Sequence, residues 1–270
     1  MKLLVKGDAR KQTCVALPEQ ALRYVGFSVQ ALAVGQRWSF DSGEQEVCLV
    51  LLCGKAGIVV NSAAFGDFDW PQLGTRESPF DDVSPDAVYL PPHCQVCITS
   101  LSPCQVAICA APGDTDGELP PRLISGGGMA RSVRGKGPNT RYVCDILPDT
   151  EAAHSLLVVE VITPSGHSSS YPPHKHDLDA LPEQSLLEEV YYHRLDPEQG
   201  FVFQRVYTDD RSLDEAYAVE NHDVVMVPRG YHPVTVPWGY RSYYLNVMAG
   251  PRRVWKFAND PAHEWLLDTL

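Results

Sequence analysis

The heptapeptide Tyr171 to Asp177, YPPHKHD, sets two histidines one residue apart. In an extended strand, His174 and His176 project from one face and Lys175 from the other. Further on, Glu189 sits in EEVYYHR and His232 in PRGYHPV. Three imidazoles and one carboxylate suit a borderline divalent cation such as Zn²⁺, Mn²⁺ or Fe²⁺. Ligands on a helix would stand three or four apart, so a spacing of two points to a pocket built from strands. An H-x-H alone is usually a pair of exposed histidines. The order of the parts raises the case: H-x-H, then a Glu opening a strand, then a Pro-x-Gly turn followed by His.

The elements that must carry these residues read as strands. Short β-branched and aromatic runs, among them EVCLVLLCG, QVAICAA, HSLLVVEVITP, DVVMVPRG and SYYLNVMAG, alternate with Gly- and Pro-containing turns. Their length and spacing predict an antiparallel all-β protein, a sandwich or barrel. Helix signals are few. LPEQALRYVGF could open a short helix, and NDPAHEWLLDTL is the better candidate, with Asn259 or Asp260 capping and Pro261 in the first turn.

The chain also repeats itself. EVCLVLLCGKAG, from Glu46, and EVYYHRLDPEQG, from Glu189, share Glu-Val and a glycine at the same offset. DAVYLPPH, from Asp86, and DVVMVPRGYH, from Asp223, share a proline at the same offset. Two spacing matches in one order predict two related domains, residues 1–130 and 131–270, joined by PGDTDGELPPRLISGGGMARSVRGKGPNTR as a partly ordered linker. The first half has no H-x-H before Glu46, and Gln95 stands where His232 would be, so that domain is expected to hold no metal. The Gly-rich, basic GGGMARSVRGKG lacks the order of a phosphate loop and reads as a flexible loop.

The formal net charge of −12 disfavours nucleic acid and anionic membranes. No apolar run is long enough to span a membrane, and the start of the chain lacks a signal-peptide core. A cytoplasmic protein with reduced cysteines is expected. Cys94-x-x-Cys97 has no second pair to complete a zinc site; the cysteines read as small buried side chains.

The H-x-H, Glu, Pro-x-Gly-x-His order is that of the two cupin motifs, in which jelly-roll strands gather four ligands. More specifically, GHSSSYPPHKHD, EEVYYHRLDPEQGFVFQRVYT, NHDVVMVPRGYHPVTVPWGYRSYYLNVMAGPRRVW and DPAHEW resemble the 5-deoxy-glucuronate isomerase family of myo-inositol catabolism. The resemblance implies a bicupin with two tandem jelly-roll barrels. It also implies a metal held by His174, His176, Glu189 and His232. A stretch of 12 residues separates His176 from Glu189, longer than in the general cupin pattern. Glu188 therefore remains an alternative; Glu189 matches Glu46-Val47 and shares a strand face with Tyr191 and His193.

The reaction this implies interconverts 5-deoxy-D-glucuronate and 5-dehydro-2-deoxy-D-gluconate, an aldose–ketose isomerisation through an enediol. Candidate proton-transfer groups are Tyr191, His193 and Tyr244. Candidates for holding the anionic sugar acid are Arg141, Lys175, Arg229 and Asn246, with Arg241 also considered. A small sugar acid is the expected ligand, and a homo-oligomer the expected assembly. Rival readings are an Fe²⁺ dioxygenase, a related uronate isomerase, or a noncatalytic sugar-binding cupin.

Overall fold

The computed structural model describes residues 2–268, and its regular structure is β-strand apart from three short 3-10 turns. The strands form two jelly-roll barrels in tandem, each a large sheet facing a smaller one. In the first barrel a six-stranded sheet centred on Gln45–Cys53 and Cys104–Pro112 faces a four-stranded sheet containing Ala56–Ser62 and Cys94–Ser100. In the second, a seven-stranded sheet centred on Glu188–Asp196 and Arg241–Ala249 faces a four-stranded sheet containing Phe201–Tyr207.

Alternation along these strands builds three apolar layers. Val47, Leu49 and Leu51 point into the first barrel with Ile58, Val60, Val96 and Ile98. Tyr191, Leu195, Val202 and Val206 point into the second. The opposite faces of the two large sheets pack on each other: Cys48, Val50 and Tyr89 from one side, Val190, Tyr192 and Tyr243 from the other. Each large sheet is thus buried on both faces. This is why these strands read as near-continuous hydrophobic runs, although every neighbouring pair is antiparallel.

The barrels are also tied by charge. Arg76, from the first, donates to both carboxylate oxygens of Glu160, from the second, at 2.9 and 2.8 Å. The strand Leu4–Val5, at the start of the chain, pairs with Val224–Val227 and so belongs to the second sheet. The region read as a linker supplies a strand to each barrel: Arg122–Ile124 edges the first sheet and Ala130–Arg134 the second.

The expected helices do not form. LPEQALRYVGF is a sequence of turns running into the strand Gly26–Leu32, its Val25 and Phe27 drawn into the layer between the barrels. At the far end Asp260 accepts the amide of Ala262, but only a 3-10 turn, Glu264–Asp268, forms beyond it; Thr269 and Leu270 lie outside the described residues.

Candidate metal centre

Strand Glu188–Asp196 lies inside the large sheet of the second barrel, between Val224–Val227 and Arg241–Ala249. Its alternation sends Glu189, Tyr191 and His193 to the barrel interior. Glu188 takes the opposite direction, and its carboxylate accepts the backbone amides of Arg23 and Tyr24 in the first barrel. Of the two glutamates, only Glu189 faces the histidines.

His176 comes just after the short strand His174–Lys175, and His232 just after the turn Pro228–Gly230. That turn needs glycine. Gly230 has φ +92°, and a Cβ there would stand 2.4 Å from the carbonyl oxygen of Tyr207. The 12 residues before Glu189 include a hairpin, Asp177–Ala180 with Gln184–Leu186. Its first residue, Asp177, accepts the Gly230 amide at 2.9 Å, so the insertion braces the turn that presents His232.

The donor atoms of His176, Glu189 and His232 lie within 4.8 Å of one another, and all three residues are buried. His176 Nδ1 is 3.0 Å from the Leu187 carbonyl, and His232 Nδ1 is 2.9 Å from the Gly230 carbonyl. Carbonyls only accept, so each Nδ1 carries its hydrogen and each Nε2 is left with a lone pair. Both Nε2 atoms face one oxygen of Glu189, at 3.1 and 3.2 Å, and His232 Nε2 finds no well-aligned hydrogen-bond partner among the described residues. Three lone-pair donors converging in a buried space call for a cation, and backbone-oriented imidazoles are the usual support of a metal site. The donor set therefore fits a divalent ion.

The electrostatics agree. Burial pushes the Glu189 carboxyl up, but the charge of His232 and the hydrogen bond to His176 outweigh it and hold it down at about 2. Burial depresses His176, yet a proton on Nε2, in the place a cation would take, donates to Glu189, and that hydrogen bond and the carboxylate charge reverse the sign and raise it. His174 stands beside this group. Its ring is 4.9 Å from that of His232 and 6.4 Å from that of His176. Although its edge opens to solvent, desolvation and then the neighbouring imidazoles hold it well below the ordinary histidine value, so it is neutral.

Tyr191 donates to or accepts from Ser170 at 2.8 Å, and its ring borders His232, His193 and Tyr244. Tyr244 and Asn246 line the same interior on the adjacent strand, opposite His193 and Tyr191 respectively. His193 is fully buried. Its Nε2 meets Gln204 at 2.9 Å, its Nδ1 has no partner, and burial lowers it to about 4.

The cationic candidates divide. Arg141 lines a cleft of about 430 Å³ that also exposes His174. Lys175 does not reach it: the side chain turns to the other face, paired with Asp209 and lying over the Tyr231 ring. Arg229 is exposed and contacts Ser212, and Arg241 pairs with Asp196 at the surface. Among the cleft residues that escaped the sequence reading are Lys136 and Asn139; their signal was the basic, glycine-rich run that reads locally as a flexible loop. His222 bonds Tyr192 on the outer face of the sheet.

The model of the KduI/IolB family matches residues 3–266. The 5-deoxy-glucuronate isomerase of Halalkalibacterium halodurans is 51% identical over 255 residues, 94% of this chain and 92% of that protein. The enzyme of the same name from Bacillus subtilis is 53% identical over 248 residues, 92% of this chain and 89% of that one. Among solved structures, an IolB-like protein from Salmonella typhimurium superposes with a TM-score of 0.94 at 46% identity, covering 99% of this chain and all (100%) of the other. An oxalate decarboxylase from Lactobacillus farciminis gives 0.66 at 12% identity over 94% of this chain and 85% of its own. That last likeness shows the tandem cupin fold alone.

Proposed function

The chain belongs to the KduI/IolB family, and on that premise we propose that it isomerises 5-deoxy-D-glucuronate to 5-dehydro-2-deoxy-D-gluconate in myo-inositol catabolism. The observation that carries the chemistry is the convergence of His176, Glu189 and His232, with His232 Nε2 unpartnered. His174, at the cleft edge, is the fourth ligand of the proposal. Zn²⁺ or Mn²⁺ suits this set, and such an ion supplies Lewis-acid stabilisation of the charge that develops on the substrate oxygens.

The chain's own residues bind the sugar and supply protons to its oxygens. Isomerisation takes a proton from the carbon beside the carbonyl and returns it to the neighbouring carbon. Burial raises both Tyr191 and Tyr244, so each keeps its hydroxyl proton at neutral pH and serves as a donor to an oxygen gaining charge. Both feel the charge of Arg141 at the cleft. His193 lies behind them, its ring about parallel to Tyr191 and tilted on Tyr244. Its proposed role is to position the two phenols. Asn246, opposite Tyr191 on the neighbouring strand, walls the same interior.

The division into barrels of residues 1–130 and 131–270 stands as part of this proposal, with Leu4–Val5 and Ala130 lent to the second sheet and the site in the second barrel. The interior of the first is filled by the aliphatic cluster around Leu49 and Ile58. All eight cysteines are free, which supports a reducing cytoplasm. Self-association into a homo-oligomer completes the proposal; the exposed edge strand Ala130–Arg134 offers one surface for it.

The test is to incubate the purified protein with 5-deoxy-D-glucuronate and monitor the ketone by NMR. Ketone should form, stop on treatment with a chelator, and resume on adding Zn²⁺ or Mn²⁺. Undiminished turnover after complete removal of metal would overturn the proposal.

A further inference from the structure

The run Arg134 to Arg141, RGKGPNTR, folds as a tight loop at the mouth of the site. Gly135 has φ +74°, and a Cβ there would lie 2.1 Å from the Asn139 carbonyl oxygen and 2.7 Å from the Arg141 guanidinium. The glycine lets the loop close on itself and brings Lys136, Asn139 and Arg141 to the wall of the cleft.

Two groups in that loop lack partners in a way that describes a ligand. Arg141 is half-buried, and among the described residues its guanidinium donates only to the Asn139 carbonyl, at 3.1 Å. No carboxylate pairs with it among the described residues, whereas Arg76, Arg205, Arg241 and Arg252 each have one. Desolvation lowers its basicity, as expected of a cation without a counter-charge. Asn139 is 4% exposed. Its side-chain amide nitrogen donates to the Tyr171 carbonyl. A carbonyl needs a donor, so the amide orientation is fixed and Oδ1 is turned elsewhere. That oxygen is buried and has no partner among the described residues, and its residue lines the cleft. A buried acceptor left unmade is costly, and a ligand hydroxyl would satisfy it.

We propose that Arg141 and Asn139 form the subsite for the end of the sugar acid remote from the metal. Arg141 takes the carboxylate as a fork, and Asn139 Oδ1 accepts from a neighbouring hydroxyl. The subsite selects hydroxy acids over neutral sugars. With His174 in the same cleft, the ligand lies with its anionic end at Arg141 and its carbonyl end at the His–Glu cluster. Asn139 also bonds the residue just ahead of Pro172-Pro173-His174, so the loop that reads the carboxylate is tied to the segment that carries a metal donor.

This deepens the isomerase reading and rests on it for the identity of the sugar. The test compares wild type with Arg141→Met, Arg141→Lys and Asn139→Leu. It measures kcat/KM on 5-deoxy-D-glucuronate, calorimetric binding of D-glucuronate as a probe, and metal content. Arg141→Met should lose roughly a hundredfold in kcat/KM, chiefly through KM, with an equal weakening of D-glucuronate and unchanged metal. Arg141→Lys should fall between it and wild type. Asn139→Leu should lose roughly tenfold in D-glucuronate affinity. Unaltered D-glucuronate binding in Arg141→Met would overturn the subsite. A wild type that binds D-glucuronate through Arg141 yet forms no ketone would instead overturn the isomerase assignment and leave the subsite standing.

Discussion

The two buried histidines outside the candidate metal cluster, His193 and His222, show how single residues set the working pH of this fold. Burial lowers each to about 4, against about 6.5 in an unfolded chain. Between those values the unfolded state binds protons that the folded state refuses. Stability therefore rises with pH across this window, is complete above about 6.5, and is lost as pH falls toward 4. The fully buried His193 ring contributes roughly 3 kcal/mol by this linkage. Urea midpoints measured from pH 7 to pH 4.5 should fall steeply. His193→Gln should flatten the slope, and an unchanged slope in that variant would contradict the assignment. Glu189, held at about 2, pushes in the same direction, whereas His176, whose value is raised, pushes the other way.

At the scale of strands, one residue of register separates a ligand from a staple. The repeated Glu-Val suggested that Glu46 corresponds to Glu189. In the structure Val47 pairs with Leu90, just before Pro91, and Glu189 pairs with Val227, just before Pro228. Val47 is thus the counterpart of Glu189, and Glu46 that of Glu188. A slip of one sends the side chain to the other face. The two outward glutamates do the same job reciprocally. Glu188 accepts the amides of Arg23 and Tyr24 across the barrel boundary. Glu46 accepts those of His154, Ser155 and Leu156, together with the Tyr89 hydroxyl. Glu46→Ala leaves several buried donors unmade and should cost about 3 kcal/mol or more. Glu188→Ala, with two amides nearer solvent, should cost less; both should keep their metal. Chemical denaturation of the two variants orders them, and a Glu46→Ala protein as stable as wild type would refute the staple.

The same slip shows what the sequence could and could not say. H-x-H, the glutamate and the Pro-x-Gly-x-His turn were legible because ligand type and order survive without coordinates. Tyr191 and His193 were placed correctly on the face of Glu189 because alternation is local. Lys175 was expected at the substrate and pairs with Asp209 instead in this structure, a contact that nothing local announces. Asn139 was missed because its buried, unpartnered oxygen exists only once the loop has closed.

Across the whole molecule, two barrels share one apolar layer and an ion pair, Arg76–Glu160, with side chains 1% and 8% exposed. Such a pair adds little by itself but is costly to break, so the barrels are held as one unit with Leu4–Val5 clasping the second sheet. The two barrels share the same frame, yet the central claim is asymmetric: a single ion per chain, in the second barrel. Metal analysis of the purified protein, alongside His176→Ala and Glu189→Ala, tests it most directly. The account predicts one equivalent of divalent metal per chain in wild type and none in either variant. Two equivalents in wild type, or full retention in both variants, would contradict it.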